Sequence, residues 1–168
     1  DKPKAYYQSI DPRIIGLELV FNDPQVLKGN EEHIRGLIEN TDMLYVAVSV
    51  EEPTEMEVAN TVLSIADTLG IPAVAIALMQ EQGKSENIDS GYERVSVLAE
   101  SHAGATLFIS PAPSSKVNGR AELFGIAAVR AITELVTRPG LIGIDYADVR
   151  TVMSVKGRAL VGQGYASG

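Results

Sequence analysis

The chain has 168 residues, 45% of them hydrophobic, which suits one globular domain with a sizeable core and excludes a disordered chain. A formal net charge of −8 argues against a phosphate-backbone binder, and zero cysteines remove disulfides, thiol catalysis and Cys-based metal sites. No apolar run approaches a membrane span and no signal-peptide pattern opens the chain, so the expectation is a cytoplasmic protein without membrane insertion.

In chain order, residues 1–12 are polar and turn-like, and Arg13–Phe21 reads as a strand punctuated by Asn22–Pro24. Asn30–Asn40 reads as a short helix, with Asn30 as N-cap and Glu31 and Glu32 in its first turn. Met43–Val50 is a near-continuous apolar run, as expected of a strand buried on both faces. A helix over Thr54–Gly70 and a second buried strand over Ile71–Leu78 follow. Beyond a polar loop come a helix over Tyr92–Gly104 and a strand over Ala105–Ser110. Another loop leads to a long, mostly apolar helix over Arg120–Thr137, broken by Arg138–Gly140. The stretch from Asp145 to Gly157 reads as helix and the glycine-kinked tail from Arg158 as strand. Strands alternate with helices, so the expected fold is an α/β three-layer sandwich around a mostly parallel sheet.

The segment Ile132–Gly168 carries a specific pattern. Pro139, Gly140, Leu141 and Ile142 are followed by Asp145, Tyr146, Ala147, Asp148 and Val149, then by Val152 and Met153. Gly157, Ala159, Gly162, Gly164, Ala166 and Gly168 complete it. This resembles the end of the nucleotide domain of the FtsZ/tubulin family, where the pattern runs P-G-L-I/M-N-x-D-F-A-D-V-x-x-V-M and then G-x-A-x-x-G-x-G-x-A-x-G. The resemblance covers residues 30–168 as a nucleotide-domain core, in reduced form. It leaves 1–29 as a divergent N-terminal segment and ends before the family's second domain. A start at Asp1 instead of Met fits a fragment or a processed product. The implied fold is Rossmann-like.

The resemblance also implies a phosphate loop, G-G-G-T-G-T-G, at the junction after the Met43–Val50 strand. Such a loop works because free N–H groups and the helix dipole face an anion, and glycine lets the backbone come close. Those seven positions are Glu51, Glu52, Pro53, Thr54, Glu55, Met56 and Glu57 here, and only Thr54 matches. Side chains fill the space, Pro53 removes a donor, and four carboxylates oppose phosphate. One like charge at about 4 Å costs about 1 kcal/mol in water and about 4 at an effective dielectric of 20. The dipole returns only about 0.3–1 kcal/mol. The same letters form an S/T-x-x-E capping box, with Thr54 as cap, Glu57 reaching back to its N–H, and Glu55 complementing the dipole. A cation-binding acidic loop is the rival, without a recognised ligand spacing. The family's guanine-contacting Asn-Asp pair falls on Glu122 and Leu123, and leucine cannot accept a hydrogen bond.

What survives is the loop leading into the helix at Tyr146. In the family it enters the nucleotide site of the adjacent subunit, where two acidic residues orient or polarise the attacking water. Asp145 and Asp148 hold those positions, while Gly143 stands where the family has Asn. Asp145 also suits the N-cap of the same helix. The expectation is therefore an FtsZ-like protein without bound GTP or a metal. It works non-catalytically with itself, as a possible homo-oligomer, or with a genuine FtsZ, and Asp145 and Asp148 act only in trans. A divergent GTPase and a binding module for another small ligand are the alternatives. The Gly83–Ser85 fragment of a Walker loop lacks its earlier glycine, because position 78 is Leu78. His33 and His102 stand apart in sequence and carry no motif.

Overall fold

A computed structural model describes residues 29–79, 93, 94, 96, 97, 100, 102, 104–109, 121–138 and 143–160. The expected strand at Arg13–Phe21, the Gly83–Ser85 fragment, the Pro111–Lys116 loop, Pro139–Ile142 and the glycines beyond Leu160 lie outside the described residues.

Helix α1 (Glu31–Ile38) leads to β1 (Leu44–Ser49), α2 (Pro53–Leu69) and β2 (Ala73–Leu78). Then come β3 (Ala105–Ile109), α3 (Ala121–Thr137), α4 (Tyr146–Met153) and β4 (Gly157–Leu160). The four strands form one sheet in the order β1-β2-β3-β4, every pair parallel. Leu44 is level with Ala73, Val74 with Ala105, and Ala105 with Gly157. All strands therefore begin at one edge, the amino edge, and finish at the other, the carboxyl edge. The expected α/β layering with a parallel sheet is what the chain adopts.

β2 explains why the sheet accepts helices on both faces. Its residues Ala73, Ala75 and Ala77 are small and face α1 and α2, whereas Val74, Ile76 and Leu78 face α3 and α4. Alternation of side chains along the strand divides one apolar run between two cores. On the first face, Ala59, Val62, Leu63 and Ala66 of α2 meet Ile34 and Ile38, one turn apart on α1. On the second, Ala128, Val129 and Ile132 of α3 and Val149 of α4 cover Val74, Ile76, Leu107 and Ile109.

Two glycines are required by geometry. Gly70 ends α2 with a left-handed φ of 69°. Its N–H returns to Asp67 O at 3.0 Å and that of Ile71 to Ala66 O at 2.9 Å, the Schellman arrangement. Gly104 lies beneath the end of α4, and a β-carbon there would press into Met153 O and sit 3.1 Å from Ser154 Cα.

Candidate functional site

The junction from β1 to α2 sits at the carboxyl edge, where open parallel sheets usually bind ligands. Here the structure corrects the expected capping box. α2 begins at Pro53, its N-cap is Glu52, and no side chain makes a cap hydrogen bond. Thr54 is already inside the first turn, so its hydroxyl cannot cap, and Glu57 has no N-cap amide to reach back to. Pro53 dictates this register. Its fixed φ suits the first helical position, where its missing N–H would have no intrahelical partner anyway.

Two glutamates turn back onto the strand instead. Ser49 N–H donates to Glu55 Oε2 at 3.0 Å, and Ser49 Oγ donates to Glu51 Oε2 at 2.8 Å. The last residue of β1 thus has both its donors engaged by carboxylates of the junction itself. Glu52, Glu55 and Glu57 are exposed, Glu51 and Thr54 half-buried, and Met56 packs inward against Val50, Ala77 and Phe108. Sequence reading missed one cation at this edge. Arg94, in a helical stretch, donates from Nη1 to Val50 O at 2.7 Å across 44 residues of sequence. A contact of that range has no local signature.

Asp145 and Asp148 sit elsewhere. Asp145 is the N-cap of α4: Asp148 N–H donates to Asp145 Oδ1 at 2.9 Å, and Asp145 N–H donates to Asp148 Oδ2 at 3.3 Å. This is the expected N-cap, with Asp148 completing a reciprocal capping box. The box lies at the amino edge. The Tyr146 hydroxyl donates to Asp42 O, just before β1, and Arg150 Nη2 donates to Gly70 O, ahead of β2, at 3.1 Å. Tyr146 stands where the FtsZ pattern has phenylalanine, so its hydroxyl is an added donor. Gly143 and Ile144 ahead of the cap are exposed. The side chains of Glu122 and Leu123, in the first turn of α3, lie outside the described residues.

The two acidic clusters therefore occupy opposite edges of one sheet. A six-residue strand separates them, and at about 3.3 Å per residue this is about 20 Å. A compact ligand held at the Glu51–Glu57 junction would therefore lie about one strand length from Asp145 and Asp148 of the same chain. Near the amino edge two phenols are perturbed. Burial pushes Tyr45 above the ordinary tyrosine value, with Tyr146 adding to it. Tyr146 is also raised, first by burial and then by Asp42, against the lowering influence of Arg150. His102 Nδ1 lies 3.2 Å from Asp67 Oδ2 at the exposed end of α2, and His33 is exposed on α1. Among the described residues no helix is long and apolar enough to cross a membrane.

Comparison with known proteins agrees with this architecture. No family model matches the chain. Cell division protein FtsZ of Wigglesworthia glossinidia brevipalpis is 32% identical over 164 residues, 87% of this chain and 42% of that protein. FtsZ of Methanothermobacter thermautotrophicus is 31% identical over 82% of the chain and 38% of its own length. Among solved structures, an FtsZ W319Y mutant from M. jannaschii superposes with a TM-score of 0.60 at 25% identity, over 82% of this chain and 44% of that one. An empty FtsZ dimer from the same organism gives 0.59 at 24% identity, over 80% and 42%. The chain thus spans about two-fifths of the length of the relatives it matches.

Proposed function

Because the chain is FtsZ-like, related over most of its length to about two-fifths of FtsZ, we propose that it is a cytoplasmic cell-division or cytoskeletal protein that works through protein contacts and neither holds nor hydrolyses GTP itself. The observation that carries this reading is the β1–α2 junction. Ser49 N–H and Oγ are taken by Glu55 and Glu51, and Pro53 removes one of the few N–H groups that a helix start could offer an anion. In this reading the carboxylates of the junction, gathered at this helix start, repel a phosphate. At the other edge Asp145 and Asp148 are exposed and held ready by each other. Such a molecule can present an acidic cap to a partner's nucleotide without offering a loaded site of its own, so it would end, regulate or anchor a filament. The natural partners are FtsZ or a second copy of this chain, and the dimeric state of one solved FtsZ supports association of this kind.

The test is sedimentation with polymerising FtsZ from the same cell. The reading expects this chain in the pellet, with altered polymer mass or GTP turnover. A pellet and a turnover both unaffected by the chain would overturn it. One observation favours a second reading, a divergent GTPase: the Arg94 guanidinium at the carboxyl edge is a cation that phosphate could use. It stands against four carboxylates, and Val50 O already takes one of its donors. Micromolar, magnesium-dependent binding of a fluorescent guanine nucleotide would select that reading.

A further inference from the structure

α4 has eight residues, too few to be stable alone, and Val149 is its one fully buried residue. Met153, one turn on, is partly buried against the same core, so the apolar contacts run in one line along α4 and leave the short helix able to roll about it. Two polar contacts remove that freedom. Tyr146 and Arg150 are four residues apart, so they lie on one face of α4. Their acceptors, Asp42 O and Gly70 O, belong to the turns leading into β1 and β2. Those turns are tied to each other, since Leu44 N–H donates to Pro72 O at 3.0 Å. Asp145 and Asp148 are fixed relative to one another by their reciprocal cap, but that cap does not say where the pair points. Val149, Tyr146 and Arg150 together supply three points, which define an orientation.

We propose that Tyr146 and Arg150 are the positioning residues of the Asp145–Asp148 acidic cap, holding it at the amino edge of the sheet through the carbonyls of Asp42 and Gly70. The placement stands on the geometry of this chain. Its consequence for a partner rests on the function proposed above.

The first experiment needs no partner. Amide hydrogen exchange of residues 143–149 is measured in the whole chain and in Tyr146→Phe, which keeps the ring and removes only the donor. Loss of one hydrogen bond speeds exchange there by about three- to tenfold, with the amides of α2 unchanged. Arg150→Lys, which keeps the charge and loses the planar fork, gives a smaller rise in the same segment. Exchange unchanged in both variants, or raised equally throughout the chain, overturns the proposal. The second experiment adds FtsZ filaments. Tyr146→Phe should pellet with unchanged affinity while its effect on GTP turnover falls towards that of Asp145→Asn. A turnover effect equal to that of the unaltered chain overturns the positioning role. If the unaltered chain itself has no effect on FtsZ, the proposed function fails, and the exchange experiment still decides the placement.

Discussion

Replacing Gly104 by alanine tests how closely α4 is pressed onto the sheet. The added methyl would press into the Met153 carbonyl oxygen and lie 3.1 Å from both Met153 C and Ser154 Cα. All three are backbone atoms, so no rotamer change relieves the crowding. Either α4 lifts or the start of β3 moves, and movement there strains two backbone bonds: Gly104 N–H to Ala73 O at 3.0 Å and Gly157 N–H to Gly104 O at 3.1 Å. Overpacking in a close-packed site costs about 1–3 kcal/mol. Weakening two hydrogen bonds adds about 1 kcal/mol. A total of about 2–4 kcal/mol lowers Tm by roughly 5–15 °C in a chain of this size. Thermal unfolding followed by circular dichroism measures it, and amide exchange should show the loosening at residues 146–157. A Tm within about 2 °C of the parent would refute the close approach and, with it, the seating of the acidic cap.

Other expectations follow from single sites. Leu63, fully buried between α1, α2 and the sheet, should lose about 2–5 kcal/mol on Leu63→Ala in urea unfolding, because the emptied space cannot fully collapse. Asp145→Ala removes the α4 cap and should cost about 1 kcal/mol, whereas Asp145→Asn keeps a capping oxygen and should be near neutral in stability. If Asp145 also acts in trans, Asn abolishes the effect on a partner's GTP turnover despite that stability. Tyr45 and Tyr146 both have raised folded-state pKa values, so the fold favours their protonated forms. Their contribution is fully present below the ordinary tyrosine value of about 10 and is lost as pH rises through and beyond it. Urea midpoints should fall above pH about 10, and Tyr45→Phe should make that fall shallower.

The parts of the chain that were legible beforehand are those with a local signal. The uniform apolar run of β2, the spacing along α2 and the glycine at its end located both elements to within a residue or two, since burial on both faces and a left-handed turn each leave a pattern in the letters. Asp145 was legible as an N-cap for the same reason. The capping box at Thr54 failed because two local rules competed. S/T-x-x-E favours Thr54 as cap, but Pro53 fits the first helical position and moves the cap back two residues, to Glu52. Asn30 occupies its expected N-cap position without a side-chain cap hydrogen bond. Arg94 on Val50, Tyr146 on Asp42 and Arg150 on Gly70 could not be read at all. They join positions 44, 104 and 80 residues apart, and only the completed sheet brings them together. The opposition of the two acidic edges is of the same kind, a consequence of strand direction and not of any motif.

Titration with a fluorescent guanine nucleotide in the presence of magnesium decides whether the β1–α2 junction excludes nucleotide as proposed. The unaltered chain should show no saturable binding in the micromolar range. The Glu51→Gly/Glu52→Gly/Pro53→Gly variant should gain affinity, as two like charges costing about 1–4 kcal/mol each at close range are removed and an N–H donor is restored. Micromolar, magnesium-dependent binding by the unaltered chain would show that the junction admits nucleotide.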